Sequence, residues 1–230
     1  MAIRLLPFRD YDEHDVVNLF KSAGSLTDFI DLSDSAKRST PQGDAGVFVT
    51  VSAGDLNDSS SDWDPVDVES NPASLLGKTD YPHVGRNVYP QASLSVSPTA
   101  GTATETCIGV TLRQTVVRDE NGENLLYNPV KKDELYGVLP GEATPILSKG
   151  LITITEDALT DAGTVGQLLQ TAADGQVAPV DRGSATNQVV GTIIAKGYRD
   201  DEAGAQGGTN VFGKAGAQKG AYYIVKIDCA

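Results

Sequence analysis

The sequence predicts a mainly β protein: a glycine- and turn-rich β-sandwich or β-barrel with a short N-terminal helix on an arm and long loops. Three observations lead there. The 230 residues include 24 glycines and 11 prolines, which leaves little room for long helices. Short β-branched and aromatic runs recur between turn signals such as ENGE (120–123), LPGE (139–142) and ADGQ (173–176). Their spacing, without long amphipathic segments between them, suits antiparallel pairing rather than βαβ units.

The chain opens MAIRLLPFRDYDEHDVVNLF. The apolar run AIRLL is short and interrupted by an arginine, so a secretory signal is not expected. Residues 10–24 carry the strongest helix signal. Asp10 or Asp12 can cap it, Glu13 and Asp15 suit its first turn, and Val16, Leu19, Phe20 and Ala23 recur at helical spacing before Gly24. Ser25–Asp28 can cap a second short turn carrying Phe29, Ile30 and Leu32. SDSAKRSTPQGD (33–44) reads as a polar linker, so residues 1–44 form an arm with a short helix and linker.

Residues 45–230 form the β domain, either one unit or two lobes, 45–130 and 131–230. Its strand candidates are AGVFVTVSAG (45–54), GRNVYPQASLSVS (85–97), ETCIGVTLRQTVV (105–117), ENLLYN (123–128), ELYGVL (134–139), ATPILSKGLITIT (143–155), GQVAPV (175–180), NQVVGTIIAKG (187–197) and AYYIVKID (221–228). A short helical turn is expected within 156–172. The Gly- and Ala-rich stretch 197–221 is a long irregular connection between two strands.

Charge narrows the function. Thirty-one acids against 18 bases give a net charge of -13, which repels polyanions. Lys37-Arg38 and Lys131-Lys132 are pairs rather than a phosphate-binding cluster, so no nucleic-acid partner is expected. No run of residues is long and apolar enough to span a bilayer, so no membrane partner is expected. Cys107 and Cys229, the only cysteines, have no metal-type spacing and read as reduced, with Cys107 a buried thiol in an apolar run.

The residues for catalysis are sparse. His14 and His83 are the only histidines, and neither accompanies a nucleophile motif. Ser148 and Lys149 are adjacent, but neighbouring strand residues face opposite ways. Asp55, Asn57 and Ser59 imitate alternating calcium ligands, yet Ser60 stands where an EF-hand loop needs glycine and Val66 where it needs glutamate. A single Trp63 offers little for a sugar cleft. The expectation is a non-enzymatic protein with no cofactor and no metal.

GVLPGEATPILSKGLITITEDAL, VGQLLQTAADGQVAPVDRG and NQVVGTIIAKG, within 137–197, resemble the β-rich head decoration, or cement, proteins of tailed bacteriophages. The opening MAIRLLPFRDYDEHDVVNLF looks like the start of virion structural proteins of marine cyanophages. The resemblance covers about residues 1–24 and 137–227 and rests on turn-and-strand patterns. It implies a virion protein on the capsid surface, assembled in the host cytoplasm, that binds the major capsid protein as a homo-oligomer, with a trimer favoured. A tail, fibre or baseplate component contacting the host surface is the alternative. In this reading Leu5, Leu6, Phe8, Tyr11, Val16, Leu19 and Phe20 are the partner-binding residues of a docking arm.

Overall fold

A computed structural model describes residues 4–53, 94–198 and 221–229. In chain order its elements begin with strands β1 (Leu5–Asp10), β2 (Val16–Val17), β3 (Phe20–Ser22), β4 (Ile30–Asp31), β5 (Phe48–Ala53), β6 (Leu94–Pro98), β7 (Cys107–Thr111) and β8 (Gln114–Arg118). Helix α1 (Pro129–Glu134) follows, then β9 (Gly137–Val138), β10 (Ile146–Leu147), β11 (Lys149–Thr155), β12 (Leu168–Thr171), β13 (Val177–Val180), β14 (Val189–Tyr198) and β15 (Ala221–Asp228).

The strands form three sheets. The first is antiparallel throughout, in the order β1-β11-β15-β14-β12-β13. The second runs β2-β10-β7-β5-β6-β3 and is antiparallel except where β3 joins β6 in parallel. A small parallel sheet, β4-β8-β9, completes the set.

The main core lies between the first two sheets, as a β-sandwich requires. Along β15, Ala221, Tyr223, Val225 and Ile227 are buried, while Lys226 and Asp228 between and after them are exposed. This two-residue period is the signature of a strand with one covered face. Ile152, Ile154, Leu169 and Ile193 of the same sheet meet Phe48, Val110 and Leu147 of the second. Phe48 faces this core; its neighbours Val47 and Val49 face a smaller cluster with Val96 and Ile146 on the other side of the second sheet. A third cluster, Ile30, Leu32, Val116, Leu125 and Leu139, packs the small parallel sheet.

Residues 10–24 do not form the expected α-helix. Asp12 does cap, accepting from the His14 amide at 2.9 Å, but only a 3-10 turn follows, Glu13–Asp15. Val16, Val17 and Phe20 then enter strands, because backbone pairing with β10 and β6 is available and β-branched residues suit it. The segment expected to be a separate arm is woven into the fold. Leu5 pairs with Ile154 and Asp10 with Leu151 in the first sheet, and Val16 pairs with Leu147 in the second. Residues 5–17 and 146–155 are thus one two-stranded ribbon that crosses from sheet to sheet. Gly150 permits the bend: its φ is +146°, and a Cβ there would sit 2.6 Å from the Tyr11 Cβ.

The division of residues 45–230 near 130 finds no counterpart in the pairing. β10, from one side of it, lies against β7 from the other, and the main core draws on both. The linker 33–44 also carries structure. It holds a 3-10 turn, Ser35–Lys37, capped by Asp34, and ends at the buried Asp44.

Smaller differences have local causes. ENLLYN folds as a 3-10 turn at Leu125–Tyr127, capped by Asn124. Pro129 at the start of α1 pre-sets helical φ, so the beginning of ELYGVL closes a helix and only Gly137–Val138 is strand. The turn expected in 156–172 is confined to Glu156–Ala158, and Leu168–Thr171 is strand. No helix among the described residues is long and apolar enough to cross a membrane.

Candidate functional site

The sandwich divides the seven residues of the expected docking arm into two groups. Leu5 is only 7% exposed and belongs to the main core, Val16 packs against that core, and Phe20 packs against Val47, Val49, Val96 and Ile146. Leu6 is half-buried. Leu5, Val16 and Phe20 stabilise the protein itself. Phe8 (63% exposed), Leu19 (61%) and Tyr11 (37%) point outward.

Tyr11 lines a groove of about 550 Å³ together with Pro7, Arg9, Arg113, Leu135 and Tyr136. The groove lies where the β1 edge of the first sheet meets the β8–β9 side of the small sheet, and Phe8 and Leu19 are not part of its lining. Arg9 fastens its floor. Its Nε donates to the Leu6 carbonyl at 3.1 Å, and a terminal nitrogen donates to the Leu112 carbonyl at 3.5 Å. These bonds hold the start of the chain against the end of β7.

Tyr136 is a groove residue that the sequence reading missed. It is 74% exposed and has φ +51°, a left-handed conformation costly for a bulky side chain. Its amide donates to the Asp133 carbonyl at 3.0 Å, so it terminates α1 in the position usually given to glycine. The available signal was Asn128-Pro129, a helix start, which puts residue 136 at the helix end rather than in a strand.

A second hollow, of about 580 Å³, lies among Asp28, Thr40, Gln42, Ser97, Thr99 and Asp174. Asp28 and Thr99 are turned to local structure, whereas the buried Gln42 Oε1 has no hydrogen-bond partner among the described residues. Asp28 accepts from the Ser25 amide at 2.7 Å and the Ser25 hydroxyl at 2.8 Å, and these bonds hold its carboxyl below the usual range. A carboxylate so stabilised is a poor base for activating that serine. The Thr99 hydroxyl donates to the Ala172 carbonyl at 2.9 Å.

Two other polar sets serve structural bonds. Burial pushes the Asp44 carboxyl up, against the opposing pull of the Ser39 hydroxyl at 2.6 Å and the Arg4 guanidinium at 3.5 Å. Arg4 also donates to the Asp174 carbonyl at 2.9 Å, clasping the first strand to two loops. The Ser148 hydroxyl donates to the Asp15 carbonyl, while Lys149 faces Asp228 at 3.9 Å, so this adjacent pair is drawn apart.

Among the described residues no three His, Cys, Asp or Glu side chains converge to hold a metal ion. The calcium-like run 55–66, Trp63, His83 and most of the 197–221 stretch lie outside the described residues. No protein-family model and no curated protein sequence matches this chain.

Proposed function

We propose that this protein is a non-enzymatic virion component, a capsid decoration protein that binds and stabilises the major capsid protein lattice. The observation that carries the reading is an outward set in the N-terminal segment: Phe8 on β1, Tyr11 just after it and Leu19 between β2 and β3 are exposed, while Leu5, Val16 and Phe20 pack on the cores. The strands beside them are paired into the two sheets, which leaves little further ordering to lose on binding, and pre-organisation of this kind favours affinity. Each large apolar side chain fully buried in an interface contributes about 1.5–3 kcal/mol.

The resemblance of 137–227 and of the opening residues to phage head proteins supplies the partner. A single site of two or three such side chains is modest. On a lattice, an oligomer engages several equivalent sites at once, and the effective concentration of the later contacts strengthens the whole. The net charge of -13 keeps free copies soluble and apart before they dock.

Immunogold labelling of intact particles with an antibody to this chain tests the reading. Label distributed over the head is the expected result. Label confined to the tail or baseplate would replace it with the host-contacting reading, and particles without label would remove both.

A further inference from the structure

Cys107 opens β7 in the second sheet, and Cys229 directly follows β15 in the first. Far apart in sequence, both are buried free thiols in the one apolar cluster between the sheets. The backbone brings them to the same place. Leu147 of β10 pairs with Val110, and the chain at Gly109 passes so close that a Cβ there would collide with the Leu147 carbonyl. The next residue, Ser148, accepts the Cys229 amide at 3.0 Å, and Lys149 pairs with Asp228.

Residues 147–149 therefore hold the start of β7 and the end of β15 side by side. The Cys107 thiol donates to the Gly109 carbonyl at 3.5 Å, on the stretch of β7 that β10 and residue 148 bring beside Cys229. The neighbouring Cys107 thiol, with burial, pushes the Cys229 thiol up.

We propose that Cys107 and Cys229 are an oxidative cross-linking site, at which a small disulfide oxidant such as glutathione disulfide installs one bond that staples the two sheets together. One cysteine, as thiolate, attacks the oxidant's S–S bond and forms a mixed disulfide, releasing one glutathione thiol. The second cysteine, losing its proton, displaces the other glutathione, and the Sγ–Sγ bond forms. The two protein thiols together lose two protons and two electrons, and the oxidant leaves as two thiols. Because both sulfurs are buried, exchange waits on local opening and is slow in the closed fold. The bond would close a very long loop of chain, the case in which a cross-link restricts the unfolded state most. This site is independent of the protein's place on a particle.

The full-length reduced chain is incubated with glutathione disulfide in mild denaturant, returned to buffer, and analysed by intact mass and non-reducing peptide mapping. The expected result is a loss of about 2 Da and a joined Cys107–Cys229 peptide pair, the two-proton balance of disulfide formation. Thermal unfolding of that product should lie roughly 5–10 °C above the reduced form, and dithiothreitol should reverse the difference. Persisting free thiols, glutathione adducts alone, or cross-links only between chains would overturn the proposal. So would an intramolecular bond that leaves the melting temperature unchanged or lowers it.

Discussion

The carbonyl oxygen of Asp15 receives both the amide and the hydroxyl of Ser148, each at 2.9 Å. This pair of hydrogen bonds from one residue to one oxygen sits where the ribbon of residues 5–17 and 146–155 passes from the first sheet to the second. It fixes the crossing and makes the opening segment a structural part of the sandwich. Deleting residues 1–24 should therefore yield an unfolded or aggregated chain, not a soluble β domain. Circular dichroism and gel filtration check this; a monodisperse, cooperatively melting truncation would show that the ribbon is dispensable.

The bend of the same ribbon depends on Gly150. Gly150→Ala forces a Cβ against Tyr11 and places a side chain at φ +146°, so it should cost about 1–3 kcal/mol. Urea unfolding measures the loss. A change below a few tenths of a kcal/mol would mean that the Tyr11 backbone gives way freely.

Two carboxylates should respond to pH in opposite directions. Burial raises the Asp31 carboxyl, but the Ser33 hydroxyl and amide and Arg118 outweigh it, and the net shift is below 3.8. Its folded value is the lower one, so its stabilisation is present above the unfolded value and lost as pH falls through the folded value. Asp31→Asn should destabilise by about 1–2 kcal/mol at pH 7, with the difference vanishing in strong acid.

Asp44 has the higher folded value, so protonation relieves the cost of its burial. Arg4→Met leaves that carboxylate buried without its cation and should cost about 3–5 kcal/mol at pH 7. The variant should regain stability as pH falls through the folded Asp44 value. Parallel pH–stability curves for the two variants would contradict both assignments.

Tyr136 carries its ring at a backbone conformation that suits glycine. Tyr136→Gly should raise stability by about 0.5–1 kcal/mol, since the exposed ring contributes little to the core. If the groove is part of the docking surface, the same variant should bind its partner more weakly. A destabilised variant with unchanged binding would show that the residue serves the fold alone.

The legible parts of the sequence are those where local pattern and tertiary role coincide. AYYIVKID alternates in and out, and Ala221–Asp228 is a strand with Tyr223, Val225 and Ile227 inside. ADGQ makes its turn with Asp174 and Gly175 both at positive φ. Asp12 was legible as a cap, but a cap begins a 3-10 turn as readily as a helix, and the periodic Val16, Leu19 and Phe20 also suit short strands. The pairing that decided the matter comes from residues 94–98 and 146–147. The parallel sheet joins Ile30 to Val116 across a separation that no local pattern encodes. For the proposed docking surface, sequence could select apolar residues near the opening but could not divide Leu5, Val16 and Phe20, which face inward, from Phe8, Tyr11 and Leu19. That division depends on which neighbour each strand finds.

If this chain docks on a capsid as proposed, the outward Phe8, Tyr11 and Leu19, and not a detached arm, make the contact. Co-sedimentation of purified protein with capsids lacking it, comparing the wild type with a Phe8→Ser/Leu19→Ser variant, measures this directly. Both side chains are more than 60% exposed, so the variant should melt within about 1 °C of the wild type. The wild type should pellet with capsids, and the variant should lose at least tenfold in affinity. Equal binding by the two proteins, or no binding by the wild type, would contradict it.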